Sequence, residues 1–258
     1  MKVFFIGAGP GASDLITIRG ANRLASSPLV LYAGSLVPKE MLVHCRPDAQ
    51  IVNTALLNLD EQEEFYKQAK AKDLDVARLH SGDPSIYGAT SEQMRRLENL
   101  KIEYEIVPGV SSFSAAAAAV GKELTAPGIS QTIILTRVSG RASTVPEAES
   151  LRLLASHKAT LCIFLSGPQL KSIVEDLLQF YRNETPVALV RRASWPDESR
   201  HCSTLGQVLA EVDINDWRLT TILLVGDVLS PEITAQSQLY SPAYSHLFRK
   251  GSTVQEST

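Results

Sequence analysis

Apolar residues recur in short blocks along the chain, and most blocks end in a turn rich in glycine, proline or serine. The first block, Val3 to Ile6, runs into Gly7-Ala8-Gly9-Pro10-Gly11-Ala12, and Ser13-Asp14 leads on into a helical pattern over Leu15 to Leu24. This predicts strand, tight turn and helix N-terminus, the unit of α/β ligand-binding domains. Strands follow at Leu29–Tyr32, Gln50–Asn53, Asp75–His80 and Tyr104–Val107. Helices are predicted between them over Asp60–Ala71, with Asp60 as cap, over Thr90–Leu97 and over the alanine-rich Ser111–Val120.

Three of these strands end in glycine-bearing turns, at Gly7, Gly82 and Gly109. In a mostly parallel sheet those ends share one edge, where such folds place ligands. Gly121 to Gly128 predicts a junction, giving domains of 1–120 and 121–240, with 241–258 as a partly disordered tail. The second half repeats the alternation. Strands are expected at Gln131–Leu135, Thr160–Leu165, Pro186–Val190, His201–Leu205 and Thr221–Val225. Helices are expected at Glu147–Ser156, Lys171–Phe180 and Gly206–Val212, with some antiparallel pairing. The fold class is therefore α/β, two α/β domains with mostly parallel sheets, the second mixed.

Composition narrows the function. The chain has 258 residues, 44% hydrophobic and 21% charged, so its core is ample and disorder is expected only in the tail. A net charge of −3 argues against a nucleic-acid partner. Cys45, Cys162 and Cys202 form no CxxC, which fits reduced thiols in a cytoplasmic protein. His44, His80, His157, His201 and His246 show no metal-ligand spacing, so no metal is expected. No signal peptide and no membrane span are expected either.

Gly7, Gly9 and Ala12 fit a dinucleotide fingerprint, but no acid ends the next strand and Pro10 has no N–H for a phosphate. A turn that binds nothing is the plainer alternative. In Ser81-Gly82-Asp83-Pro84, Asp83 can cap the following helix, or the turn can hold a ligand's polar groups. Ser111 and Ser112 carry the same two readings. Arg137 with Arg141, and Arg191 with Arg192, are either solvated charge or anchors for carboxylates and phosphates. No G-x-S-x-G, H-E-x-x-H or P-loop signature occurs, so an enzyme of this kind would act mainly by positioning two reactants.

In order along the chain, Gly7-Ala8-Gly9-Pro10-Gly11, Tyr32-Ala33-Gly34-Ser35-Leu36-Val37, His80 to Gly88, Val107 to Ser112 and Leu124-Thr125-Ala126-Pro127 resemble the tetrapyrrole methylases of cobalamin and sirohaem synthesis. The Ala-Gly-Ser-Leu-Val segment, the Thr136-Arg137 to Gly140-Arg141 loop and Ala193 to Glu198 resemble the branch that methylates C-11 of precorrin-4 or its cobalt form. The resemblance implies a cytoplasmic homodimer that transfers methyl from S-adenosylmethionine to a ring carbon, releasing S-adenosylhomocysteine. The cofactor would lie folded in a cleft between the domains. Matched position by position, cofactor contacts fall on Pro10, Ser81, Gly82, Asp83, Ile86, Ser111, Ser112, Leu165, Ala188, Arg191 and Thr221. Gly9, Gly11, Ser35, Tyr87, Arg137, Arg141 and Arg191 would meet the tetrapyrrole. Related uroporphyrinogen methylases carry an acid after the second strand, assigned as a proton acceptor. Ala33 and Gly34 stand there in this chain, so no catalytic base is assigned. Another position-specific corrin methylase, a diphthamide-type methylase or a non-catalytic tetrapyrrole carrier are the alternatives.

Overall fold

A computed structural model of the chain describes residues 1–140, 144–232 and 237–251. Arg141 and the last part of the expected tail, 252–258, lie outside the described residues. Contacts group the chain into two units, Met1–Ala119 with Val190–Ser199, and Val120–Leu189 with Arg200 onward. Val190–Ser199 thus packs with the first unit, although it lies far along the second half of the sequence.

The first unit is built from β1 (Lys2–Gly7), α1 (Ile18–Ser26), β2 (Leu29–Tyr32), β3 (Gln50–Asn53), α2 (Leu59–Ala71), β4 (Val76–His80), α3 (Thr90–Asn99), β5 (Glu103–Val107) and α4 (Ser112–Ala119). Its five strands lie in the order β3-β2-β4-β1-β5, and every pairing is parallel. Strand residues alternate between two cores, as period-two geometry demands. Phe4, Ile6, Val30, Ala77 and Leu79 face Leu24 and Met41. Val3, Phe5, Leu29, Leu31 and Val76 face Tyr66 and Leu97. Register sets the functional edge: Gly7 is level with His80 on β4, and Ile6 with Val107 on β5. The three glycine turns therefore leave the sheet at one level.

Helix starts depart from the sequence expectations where a side chain captures the free amides. The helix expected from Leu15 begins at Ile18, because Thr17 Oγ1 accepts the Gly20 amide at 3.1 Å and Ile16 is extended. Asn58, not Asp60, caps α2. Its Oδ1 accepts the Asp60 and Glu61 amides at 2.9 and 3.0 Å, and Glu61 Oε2 accepts the Asn58 amide at 2.7 Å, a reciprocal capping box. Asp83 does not cap α3, which starts at Thr90 behind Ala89, itself at φ 49° with no side-chain cap.

The second unit holds β6 (Ile133–Arg137), α5 (Leu151–Ala155), β7 (Thr160–Phe164), α6 (Leu170–Leu177), α7 (Val208–Glu211) and β10 (Thr221–Val225), with β8 (Pro186–Arg191) up to Leu189 and β9 (Ser199–Thr204) from Arg200. The sheet order is β6-β7-β10-β8-β9. β6 and β7 are parallel, β7 and β10 antiparallel, so this sheet is mixed. Leu161, Ile163, Leu189, Leu223 and Val225 bury one face under Leu170, Ile173 and Leu177 of α6. The helix expected over Glu147–Ser156 is split: Ser150 is extended between a 3₁₀ turn at Glu147–Glu149 and α5. Cys162 lies buried on β7, where burial pushes its thiol up to about 12. Burial likewise raises Cys45 to about 11, whereas Cys202 is exposed on the edge strand β9.

Candidate functional site

Three glycines without side chains let the turns of the first unit touch. A Cβ on Gly7 would lie 2.5 Å from Gly109 Cα and 2.7 Å from the Gly82 carbonyl oxygen. One on Gly109 would collide with that same oxygen and with Gly7. Gly9 and Gly82 exchange backbone hydrogen bonds, N–H to O, at 3.2 and 2.8 Å. Both are left-handed, at φ 79° and 64°, a conformation that glycine adopts without penalty.

Asp83 fastens this cluster. Its Oδ2 accepts the Gly109 amide at 2.8 Å. Its Oδ1 accepts the Ser85 amide at 2.8 Å and the Ser85 hydroxyl. Desolvation pushes the Asp83 carboxyl up, but the Ser85 hydroxyl and the Gly109 and Ser85 amides outweigh it and hold the group below its ordinary value. Asp83 is thus an ionised link between two turns rather than a helix cap.

Beyond Asp83 the loop is contorted. Tyr87 and Ala89 both have positive φ, at 53° and 49°. Thr90 Oγ1 donates to the Pro84 carbonyl at 3.2 Å. Tyr87 is half exposed, and Ile86 is partly buried. Under the loop lies His80, 5% exposed, with its Nε2 lacking a hydrogen-bond partner and its ring bonded to the Gly88 backbone. Burial, then the charge of Arg78, pushes His80 down to about 3, so it is neutral. Arg78 is buried too, bonded to Gln93 Oε1 at 3.1 Å and to the Leu79 carbonyl at 3.2 Å. Neither residue was singled out as functional from the sequence; the one available signal was that His80 directly precedes Ser81-Gly82-Asp83.

The structure brings Gly9, Pro10, Gly11, Ser81, Gly82, Asp83, Ser111 and Ser112 together within the first unit. A Cβ on Gly82 would meet only ordinary contacts, 3.6 Å to Ser111 Cα and 3.8 Å to the Ser112 amide nitrogen. Ser111 is 7% exposed, and its carbonyl accepts the Ser114 amide of α4 at 3.1 Å. Ser35 is exposed in the turn after β2, where the Ala33 carbonyl accepts the Leu36 and Val37 amides. Arg191 belongs to this unit as well, with Nη2 3.4 Å from Ser199 Oγ. In the second unit, Leu165 follows β7 at φ 51° and is half exposed. Ala188 and Thr221 are buried, each 2% exposed, on β8 and β10. Arg137 ends β6. Among the described residues no cluster of His, Cys, Asp and Glu could hold a metal ion. No described helix is long and apolar enough to cross a membrane.

The turns suit a ligand that is polar but not a dinucleotide. They present an ionised carboxylate, serine hydroxyls and an unobstructed glycine, and in the first loop, where a dinucleotide's phosphates would sit, the Ala8, Gly9 and Ala12 amides are already bonded to the His80 and Gly82 carbonyls and Ser194 Oγ.

The family profile Tetrapyrrole (Corrin/Porphyrin) Methylases matches residues 2–209. A precorrin-4 C(11)-methyltransferase of Pseudomonas aeruginosa is 51% identical over 97% of this chain and 100% of its own length. A cobalt-precorrin-4 C(11)-methyltransferase of Methanocaldococcus jannaschii is 43% identical, covering 96% of each. The solved structure of a cobalt precorrin-4 methyltransferase of cobalamin biosynthesis superposes with a TM-score of 0.85 at 40% identity, over 89% of this chain and 96% of that one. A uroporphyrin-III C-methyltransferase from Thermus thermophilus, solved with S-adenosylhomocysteine, gives 0.74 at 26% identity, over 89% and 99%. The chain belongs to the tetrapyrrole (corrin/porphyrin) methylases.

Proposed function

We propose that this protein transfers a methyl group from S-adenosylmethionine to C-11 of precorrin-4 or cobalt-precorrin-4, a step of cobalamin (vitamin B12) biosynthesis. The observation that carries this is the 51% identity, end to end, with the Pseudomonas aeruginosa precorrin-4 C(11)-methyltransferase. The lower identity to the cobalt-precorrin-4 relative, 43%, favours the form without cobalt.

When bound, S-adenosylmethionine supplies an electrophilic methyl on a sulfonium. The electron-rich macrocycle provides the attacking carbon, so the protein needs no nucleophile of its own. Its task is alignment of carbon, methyl and sulfur, together with exclusion of water. The Ser81-Gly82-Asp83 turn and Ser111-Ser112 are proposed as the cofactor's polar contacts, with Pro10 and Ile86 beside them. Gly82 leaves room where a side chain would stand, and ionised Asp83 holds the turn. Leu165, Ala188, Arg191 and Thr221 are proposed as further contacts from the resemblance alone. Gly9, Gly11, Ser35, Tyr87, Arg137, Arg141 and Arg191 are proposed for the tetrapyrrole, the arginines pairing with its carboxylates. A C₂ homodimer in the cytoplasm completes the proposal.

The test is methyl transfer by the purified protein, with precorrin-4 and cobalt-precorrin-4 side by side and a carbon-labelled methyl donor. Label at C-11 with release of S-adenosylhomocysteine is the expected result. Label at another ring position would move the protein to a different corrin methylase. Binding of the macrocycle without turnover would make it a carrier.

A further inference from the structure

The glycine-rich turn after β1 is held from outside by a segment more than half the chain away in sequence. Trp195 Nε1 donates to the Pro10 carbonyl at 2.9 Å. Ser194 Oγ accepts the Ala12 amide at 3.0 Å. The Trp195 ring fills the space where a Gly11 side chain would begin, with Nε1 2.6 Å from that point.

Trp195 is itself fixed. The Arg192 guanidinium stacks 3.8 Å from the centre of its ring, and Arg192 Nε donates to Asp197 Oδ1 at 2.7 Å. The Ser194 amide donates to Glu198 Oε2 at 2.7 Å. Arg192 and Ser194 both adopt left-handed backbone, at φ 51° and 65°. Non-glycine residues in that region are strained and persist where their surroundings impose them. Two such residues in a five-residue turn, aimed at a loop of glycines, mark a turn shaped for that contact.

We propose that Trp195 is a positioning residue: through Pro10 and Gly11 it holds the Gly9–Ala12 turn in the form that receives the macrocycle. This rests on the proposed function, because Gly9 and Gly11 of the turn are assigned there to the tetrapyrrole. The turn lacks side chains of its own to define its shape, and Pro10 fixes only one dihedral. The indole ring and its N–H supply what the turn lacks.

The test uses the full-length protein and Trp195→Phe, which keeps an aromatic ring for Arg192 and removes the N–H. Hydrogen exchange without ligand is followed at the Gly9 and Ala12 amides, with Ile6 and Leu79 as strand controls. Loss of one neutral hydrogen bond predicts exchange about threefold to tenfold faster at Gly9 and Ala12, with the controls unmoved. In turnover, KM for the tetrapyrrole rises by a similar factor while kcat holds, and S-adenosylhomocysteine affinity, which Pro10 alone of this turn touches, falls by less. Unchanged exchange at Gly9 and Ala12 overturns the proposal. Faster exchange with an unchanged tetrapyrrole KM also overturns it, since the turn would then not receive the macrocycle, and wild-type turnover would still stand. A wild type that methylates neither tetrapyrrole instead refutes the proposed function, and with it the role given to Trp195.

Discussion

Asp83 Oδ2 lies 2.8 Å from the Gly109 amide nitrogen, joining the turn after β4 to the turn after β5 across the intervening β1. A carboxylate in this place substitutes for the missing side chains of three glycines. Hydrogen bonds to a charged group contribute about 1.5–3 kcal/mol each. Asp83→Ala is expected to lower unfolding free energy by about that amount and to abolish S-adenosylhomocysteine binding. Urea denaturation and calorimetry check the two effects. A variant that binds like wild type would remove Asp83 from the site.

The glycines should not tolerate alanine equally. Gly82→Ala has steric room, so it faces only left-handed strain of about 1–2 kcal/mol. Gly109→Ala meets the Gly82 carbonyl and Gly7, and has no room without moving two strands' ends. The expected order of stability is wild type, then Gly82→Ala, then Gly109→Ala. Gly82→Ala should stay folded and lose S-adenosylhomocysteine affinity. Denaturation midpoints and calorimetry on both variants decide this.

His80 makes the protein acid-sensitive. In the unfolded chain it binds a proton near 6.5, and in the native chain only near 3. Between those values acid favours the unfolded state. The neutral histidine's contribution is therefore whole above about pH 6.5 and drains as pH falls toward 3. Wild type should lose more stability than His80→Phe between about pH 7 and about pH 5, read as the shift in urea midpoint. Equal shifts would mean that His80 is protonated normally when folded.

Arg137 and Arg191 are expected to anchor substrate carboxylates. Each to Ala should raise KM for the tetrapyrrole roughly tenfold or more, from a loss of about 1.5–3 kcal/mol. Binding of S-adenosylhomocysteine should fall less. Wild-type KM in both variants would return these residues to the solvated surface.

The fold was readable where one side chain's chemistry dominates. β2 and β10 begin and end where their short apolar and β-branched runs do, and β3 takes in one polar residue on each side of Ile51-Val52. Boundaries slipped where two polar residues compete for the same amides: Asn58 outcompeted Asp60, and Thr17 delayed α1. The glycine turns were legible as a group, because parallel strands put their ends on one edge. What joins them was not. Asp83 in sequence reads equally as a cap, and only the 2.8 Å approach to Gly109 separates the readings. Trp195 over Gly11 could not be read at all, since no pattern links positions so far apart. His80 and Arg78 sit in an ordinary-looking strand, and their burial without a carboxylate emerges only from packing.

Burial divides the three thiols by what a reagent could reach. Cys162 is sealed in β7 and Cys45 is half-covered, both with thiols held protonated, while Cys202 stands open on β9. Alkylation at neutral pH should therefore stop at one adduct per chain. That makes Cys202 a native attachment point for a dye or spin label, with no engineering of the other two. It also makes an edge-to-edge disulfide between copies the expected product of storage in air, and a reducing agent the simple remedy.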